Sequence, residues 1–313
     1  MPFYLKIAFF CLMFLPAAAP ADDFAAKVFT DKDGKTMPYR LLIPALYDSA
    51  TKYPVILFFH GSGERGVDNL AELRHGVAPM TTPALRLKYP AFVIVPQCPV
   101  KQGWVNMNWN NLAGTRPAHP SDSEQMALKI LDSVTAQYST DKDRIYVMGL
   151  SMGGFAVWDC ITRFPDKFAA GVAVCGGGDE ATVTAEVAKV PVWAFGSSDD
   201  PVVKPIRSLH MVGAMLEKGG HPRYYLYTGL GHGSWDKAFS EPELLPWVFK
   251  QTRAQAPVVP ATTTVPPAAL SVTPQSAPAQ TAVPPAPVTE PPQPAPATAP
   301  VQTSPTPQPA QTQ

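Results

Sequence analysis

Short apolar runs recur along the middle of the chain and predict buried strands. They are rich in β-branched and aromatic residues and lack polar alternation, which is typical of strands covered on both faces. They occupy residues 39–43, 54–59, 91–95, 144–148, 191–195 and 223–227. Between two of them, Ser121 with Glu124 three positions later has the spacing of a helix start, and the helix is predicted to run to about Tyr138. Strands alternating with helices predict an α/β fold with a mostly parallel central sheet and helices on both faces.

One strand-to-helix junction carries a reactive residue type. Gly149-Leu150-Ser151-Met152-Gly153 follows the run 144–148 and precedes residues 154–161, whose apolar spacing is helical. A serine on such a sharp turn is the nucleophile elbow of α/β-hydrolases, and its glycines let strand and helix pack closely. The alternative is a glycine-rich turn with an ordinary exposed serine. Because a strand and a helix flank the pentapeptide, Ser151 is predicted to be a nucleophile.

Two loops downstream of Ser151 supply candidate partners in the chain order that this fold uses, serine, acid, histidine. The run 191–195 leads into a loop with adjacent Asp199 and Asp200. The spacing after Gly196 favours Asp199, which is predicted to be the acid, whereas the Pro-Val-Val that follows favours Asp200. His232 lies in a glycine-flanked loop after 223–227 and is the predicted base.

A serine nucleophile also needs donors for the oxyanion that forms during acyl transfer. One is predicted to be the backbone N–H of Met152, and the other that of Ser62, with Gly63 as the alternative, in the loop after strand 54–59. His60 is predicted to support this loop. Trp104, with Trp109, lies in the loop between Cys98 and Ser121. Trp104 is predicted to line an acyl or aromatic pocket, and surface packing is its alternative.

Five segments together resemble one known group. They are 60–66 (HGSGERG), 96–99 (PQCP), 149–154 (GLSMGG), 175–179 (CGGGD) and 231–235 (GHGSW). The set resembles the bacterial phospholipase/carboxylesterase-like "predicted peptidase" branch of the α/β-hydrolases, related to polyhydroxybutyrate-depolymerase and feruloyl-esterase-type enzymes. The resemblance covers roughly residues 35 to 252 and implies an ester hydrolase with Ser151 and His232 in the family's roles. Phe195 departs from the histidine usual in the acid loop, which leaves open whether the acid is Asp199 or Asp200.

Composition and motifs limit the binding partners that are expected for this chain. The chain has 25 basic and 25 acidic residues and no basic stripe, so nucleic acid is not an expected partner. No phosphate-binding loop or dinucleotide fingerprint occurs, and no His, Cys or carboxylate cluster has metal-ligand spacing. Neither a cofactor nor a metal is therefore expected, and the expected partner is a small-molecule or polysaccharide ester substrate. The oligomeric state is left open.

The two ends of the chain differ from its middle. Residues 1–21 have a basic start, a short apolar run and an Ala-x-Ala end, which predict a signal peptide and a secreted or periplasmic protein without a transmembrane span after cleavage; an uncleaved anchor is the alternative. Residues 22–253 form the predicted catalytic domain. Residues 254–313 are rich in Pro, Ala and Thr and predict a disordered tail, or a tether or O-glycosylated stalk.

The sequence thus predicts a secreted serine carboxylesterase that works through a Ser-His-Asp triad and an acyl-enzyme. A peptidase of the same fold is the first alternative. The second is a non-catalytic exported binding module, which would have no need of serine, acid and histidine together. An odd number of cysteines after residue 21 leaves at least one free thiol among Cys98, Cys160 and Cys175.

Overall fold

The computed structural model describes residues 23–109 and 111–253, which lie within one compact unit. The strands are β1 (Phe24–Thr30), β2 (Thr36–Leu42), β3 (Tyr53–Phe59), β4 (Phe92–Pro96), β5 (Thr140–Leu150), β6 (Ala170–Val174), β7 (Val192–Ser197) and β8 (Arg223–Tyr227). The helices are α1 (Pro83–Lys88), α2 (Asp122–Gln137), α3 (Met152–Arg163), α4 (Ala185–Ala188), α5 (Ile206–Glu217), α6 (Trp235–Phe239) and α7 (Leu244–Val248). The predicted signal peptide and tail lie outside the described residues.

The eight strands form one sheet in the order β1-β2-β4-β3-β5-β6-β7-β8. β2 pairs antiparallel with both β1 and β4, and every pair from β4 to β8 is parallel. The predicted fold class, an α/β-hydrolase with a mostly parallel sheet, is confirmed. No helix in the described ranges is long and apolar enough to cross a membrane.

The core lies on both faces of the sheet, and β3 shows why its sequence has no polar alternation. Val55, Leu57 and Phe59 pack into one cluster with residues of α2, α3 and α5. Ile56 and Phe58 pack into a second cluster with residues of α6 and α7. All seven residues of β3 are buried, and burying each large apolar side chain contributes about 1.5–3 kcal/mol.

The start of α2 is where its sequence predicts it. Ser121 caps the helix by accepting a hydrogen bond from the Glu124 backbone N–H at 3.0 Å. The Glu124 side chain does not complete a capping box; it turns inward and accepts a hydrogen bond from the Cys160 thiol of α3. The predicted N-terminal cap of α2 is therefore confirmed, but Glu124 contacts α3 instead of completing the capping box.

The parallel strands bring the candidate chemistry to one edge. β3, β5, β6, β7 and β8 all run in the same direction, so the loops that follow them lie at the same edge of the sheet. In open α/β sheets this is the edge at which ligands bind. The motif residues after these strands therefore meet there, although His60 and His232 are 172 positions apart in the chain.

Candidate active site

Ser151 occupies a strained turn between β5 and α3. Its backbone has φ 51° and ψ −118°, and its N–H donates to the Val174 carbonyl at 2.8 Å. A non-glycine residue with this φ costs free energy and persists where its surroundings hold it in place. Ser151 is only 8% exposed. The structure therefore has the nucleophile elbow that the sequence predicts.

Neighbouring backbone explains the glycines of the elbow. A Cβ on Gly153 would overlap the Phe59 carbonyl oxygen, and one on Gly154 would lie 2.6 Å from the Val174 oxygen. A Cβ on Gly149 would lie 2.5 Å from the Gly153 oxygen. Only glycine lets α3 begin this close to the ends of β3 and β6, which fixes the position of Ser151 relative to the loops after those strands.

His232 bridges Ser151 and a buried carboxylate. Its Nε2 lies 2.8 Å from Ser151 Oγ, and its Nδ1 lies 2.8 Å from Asp200 Oδ2. The Asp200 side chain is 1% exposed and that of His232 is 19% exposed. A continuous Ser-His-Asp chain of hydrogen bonds is the arrangement in which a histidine can accept the serine proton.

The carboxylate that faces His232 is that of Asp200, which corrects the prediction that Asp199 lies there. The other oxygen of Asp200, Oδ1, accepts the backbone N–H groups of Val202 and Val203 at 2.8 and 2.9 Å. That local turn points the remaining oxygen, Oδ2, at the histidine. β7 continues to Ser197, so the residue that reaches His232 is the third after the strand rather than the second.

Asp199 instead holds the loop that carries His232. Its Oδ1 accepts the backbone N–H groups of Gly229 and Gly231 at 3.0 and 3.3 Å, and the Ser197 hydroxyl at 2.5 Å. The bond from Ser197, then those from the glycines, lower the pKa of Asp199 below its usual value. Gly229 and Gly231 have φ of 79° and 53°, which favours glycine at both positions.

The loop after β3 lies beside Ser151. A Cβ on Gly61 would be 3.7 Å from Ser151 Cβ and 2.9 Å from Glu64 Oε2, so the site leaves no room for a side chain there. His60 Nδ1 contacts the Gly61 carbonyl at 2.6 Å, and His60 Nε2 accepts the Cys98 N–H at 3.0 Å. The Nδ1–H tautomer satisfies both bonds. Burial lowers the pKa of His60 to about 4, so this ring is neutral at pH 7.

These bonds orient the two peptides that flank Ser62. The Gly61 carbonyl is held by His60, and the Ser62 carbonyl accepts from Arg65 Nε at 2.8 Å. Because a trans peptide points its N–H opposite to its carbonyl, the Ser62 N–H is directed away from His60. His60 supports this loop as predicted. Met152 is the first residue of α3, where N–H groups have no partner inside the helix.

Trp104 is part of the support for this loop, not of an open pocket, which corrects its predicted role. Its side chain is fully buried, and its Nε1–H donates to the His60 carbonyl at 3.0 Å. Its ring packs against Phe59 and His60, with centroids 4.9 and 5.1 Å apart. Trp109 is half-buried, with its ring centroid 6.5 Å from that of Phe155 on α3.

Arg207, near the start of α5, is a buried cation that no sequence signal indicated. Its Nη2 donates to the Gly178 carbonyl and lies near the Met107 sulfur, both at 3.1 Å. Its guanidinium carbon is 5.4 Å from the centroid of the Phe155 ring. Burial lowers the pKa of Arg207. The side chain ties the loop after β6 to the loop that contains Met107.

Cys175 lies close to His232 and Asp200. It follows β6, has φ of 40°, and is 2% exposed. One ligand-type atom each from Cys175, Asp200 and His232 lies within 4.8 Å of the other two. Burial raises the pKa of the Cys175 thiol to about 12. The described cysteines Cys98, Cys160 and Cys175 are all buried free thiols.

Fold and site together define a class: an α/β-hydrolase with a serine nucleophile elbow, a histidine and a buried acid. The known proteins to which this chain is similar belong to the same class. Residues 123–187 match the prolyl oligopeptidase family. A crystal structure described as a thermostable esterase is 36% identical, with a TM-score of 0.69, over 74% of this chain and 64% of that one. This chain thus spans less than two thirds of the length of that esterase.

More distant structures share the fold alone. A feruloyl esterase module from Clostridium thermocellum is 16% identical, with a TM-score of 0.55, over 74% of this chain and 91% of that one. Dipeptidyl peptidase 4 from Porphyromonas gingivalis is 14% identical, with a TM-score of 0.53, over 73% of this chain and 35% of that one. A search of curated proteins returned no match.

Proposed function

We propose that the protein is a serine esterase that cleaves carboxylic esters through an acyl-enzyme on Ser151. The observation that carries this proposal is the chain from Ser151 Oγ through His232 to Asp200, with both distances at 2.8 Å. A serine hydroxyl is a weak nucleophile until an adjacent base takes its proton. The pair Ser151 and His232 has the geometry for that transfer.

In the proposed reaction, Ser151 Oγ attacks the acyl carbon while His232 Nε2 takes the hydroxyl proton. The bond from the acyl carbon to the alcohol oxygen then breaks, and His232 returns the proton to the leaving alcohol. The acyl group stays on Ser151. Water attacks it in turn, giving one proton to His232, which passes it to Ser151 as the acid leaves.

Asp200 fixes which nitrogen of His232 faces the serine. Its Oδ2 accepts the Nδ1–H, so the lone pair of Nε2 is directed at Ser151 Oγ. The buried carboxylate also stabilises the imidazolium that forms when the proton moves. Because Val202 and Val203 bind the other oxygen, the carboxylate is held in one orientation.

The oxyanion of the tetrahedral intermediate would be held by the N–H groups of Met152 and Ser62. The first follows the nucleophile at the start of α3, where the helix dipole also favours negative charge. The second belongs to the peptide that His60 orients. Removing one such donor costs about 10²–10³ in kcat in a serine hydrolase.

An ester is favoured over a peptide by the 36% identity to the thermostable esterase. Peptide hydrolysis is the second candidate, since residues 123–187 match the prolyl oligopeptidase family. That segment contains Ser151 but neither Asp200 nor His232. It therefore supports the nucleophile without separating the two substrates.

Matched substrates separate the two reactions. The full chain and Ser151→Ala are assayed with p-nitrophenyl esters of acetyl, longer acyl and feruloyl groups, and with p-nitroanilides of short peptides. The expected result is ester turnover without comparable anilide turnover, reduced about 10⁴-fold or more in Ser151→Ala. Preferential anilide cleavage would make the protein a peptidase. Full activity of Ser151→Ala would overturn the mechanism.

We also propose that the protein is exported, on the basis of the signal-like sequence of residues 1–21. Export followed by cleavage gives a mature chain that starts near Asp22. N-terminal analysis of the natively expressed protein, with cell fractionation, tests this. A cytosolic product that retains Met1 would contradict it.

A further inference from the structure

Cys175, Asp200 and His232 form a group with mixed sulfur, oxygen and nitrogen donors. One ligand-type atom from each lies within 4.8 Å of the other two. Cys175 and Asp200 are almost completely buried, whereas the His232 side chain is 19% exposed. The three residues come from the separate loops after β6, β7 and β8, so they form no local motif with metal-ligand spacing. The parallel sheet brings them together.

This donor set suits a thiophilic divalent cation. Zn²⁺ takes thiolate, imidazole and carboxylate ligands at about 2.0–2.3 Å and is usually tetrahedral, with water or another group in an open position. Ligand atoms around such a centre are about 3.3–3.8 Å apart. The three ligand-type atoms lie within 4.8 Å of one another, and His232 Nδ1 is 2.8 Å from Asp200 Oδ2. All three side chains could bind if this pair separated by about 0.5 Å and the more distant atoms approached by up to about 1 Å.

We propose that Cys175, Asp200 and His232 bind Zn²⁺ or Cd²⁺, and that this cation inhibits the enzyme. Either nitrogen of His232 that binds the cation is one the triad uses. Nε2 faces Ser151 Oγ, and Nδ1 is bonded to Asp200. On binding, the Cys175 thiol releases its proton to solvent and the thiolate sulfur bonds to the metal. Binding does not depend on the proposed esterase activity, whereas inhibition does.

Binding is tested with Cd²⁺ alone, because a cadmium–thiolate bond gives an ultraviolet charge-transfer absorption that needs no turnover. The full chain carrying Ser151→Ala is titrated with Cd²⁺, alone and combined with Cys175→Ser, Cys98→Ser or Cys11→Ser. The expected band saturates in Ser151→Ala, persists with Cys98→Ser and Cys11→Ser, and disappears with Cys175→Ser. Circular dichroism of each variant establishes that it is folded.

Inhibition is tested in the enzyme with Ser151 intact, each rate being normalised to that variant's own rate without metal. Zn²⁺ should inhibit, a chelator should reverse the inhibition, and Cys175→Ser should raise the half-inhibiting concentration at least about 10-fold. A band that persists in folded Cys175→Ser and folded Cys175→Ala would overturn the site. A cadmium–thiolate band without inhibition by Zn²⁺ would overturn the inhibitory role alone. An enzyme with Ser151 intact that shows no ester turnover without metal would count against the proposed function and not against the metal site.

Discussion

At the residue scale, Asp199 and Asp200 show how adjacent carboxylates take different roles. Asp200 faces His232, whereas Asp199 accepts backbone N–H groups from the loop on which His232 lies. The two acids lie in the turn after β7, where the Asp200 N–H donates to the Ser197 carbonyl at 3.2 Å, and their side chains face different groups. One acid therefore orients the histidine ring, and the other fixes the loop.

Replacing each acid by asparagine should separate these roles. Asp200→Asn should lower kcat about 10³–10⁴-fold, because an amide facing Nδ1 favours the wrong tautomer of His232. Asp199→Asn keeps an oxygen that can accept the N–H groups of Gly229 and Gly231, and should cost less than about 10-fold. Ester hydrolysis by the two variants, compared at one pH, measures both. A dead Asp199→Asn with an active Asp200→Asn would contradict the assignment.

Sequence reasoning located Ser151 and His232 but not the acid or the role of Trp104. Serine lies in a motif whose glycines are required by close backbone contacts, and His232 follows Gly231, whose φ of 53° favours glycine, so both positions are recognisable. The choice between two adjacent acids depends on where β7 ends and on the turn that Val202 and Val203 close. Trp104 turns inward to bond the His60 carbonyl, a tertiary contact that no local pattern encodes.

At the element scale, α2 and α3 meet around a buried acid. Glu124 of α2 has no exposed surface and accepts the Cys160 thiol at 3.3 Å. Asp159, which precedes Cys160 on α3, forms an ion pair with Arg163 at 2.5 Å. Burial, and then the charge and hydrogen bond of Asp159, raise the pKa of Glu124 well above its usual value. Glu124 is therefore protonated in the folded protein at moderately acidic pH.

This protonation links stability to pH. Because the folded-state pKa of Glu124 is raised, its contribution to the free energy of unfolding is fully present below the unfolded pKa of about 4.3. As pH rises from there to the folded-state pKa, this contribution is lost at about 1.4 kcal/mol per pH unit. Glu124→Gln cannot ionise and can still donate to Asp159. Its melting temperature relative to the wild type should rise with pH.

Melting curves of wild type and Glu124→Gln across acidic to neutral pH measure that difference. Glu217→Gln is the matched control, since Glu217 is exposed on α5. It should show no such trend. A melting difference for Glu124→Gln that is constant across pH would mean that folding does not raise the pKa of Glu124.

The elements themselves were predictable to different degrees. β3, β4 and the second half of β5 are continuous apolar runs, and α2 has a capping residue, so their patterns indicate their type. β1 was not predicted, because it is an edge strand whose residues are mostly exposed and whose pairing with β2 supplies its order. Pairing across the sheet is not encoded in a local pattern.

At the scale of the whole molecule, the last described residues belong to the domain. The Tyr146 hydroxyl donates to the Gln251 carbonyl at 3.0 Å. Arg253 bonds the Asp166 carbonyl and pairs with Asp143 at 2.8 Å. The Pro-rich sequence after Arg253 has only one charged residue, Glu290, and no periodicity with which to form a core. The two segments should therefore respond differently to truncation.

A chain that ends at Arg253 should keep its ester hydrolysis rate and its melting temperature. A chain that ends at Lys250 loses the acceptor of the part-buried Tyr146 hydroxyl, which should cost about 1–3 kcal/mol of unfolding free energy. Thermal unfolding and initial rates of the two truncations check this. A large loss on ending at Arg253 would show that residues 254–313 contribute to the folded domain.

Strands β3 to β8 are parallel, so the loops that follow them lie at one edge of the sheet. The central claim is that Ser151, at this edge, is the nucleophile. Ser151 is expected to be the one residue that becomes covalently modified. The most direct measurement is intact and peptide mass spectrometry of the full chain after reaction with a fluorophosphonate. One adduct per chain, located on Ser151 and accompanied by loss of ester hydrolysis, is the predicted result. An adduct on another serine, or full labelling of Ser151 with undiminished ester hydrolysis, would contradict it.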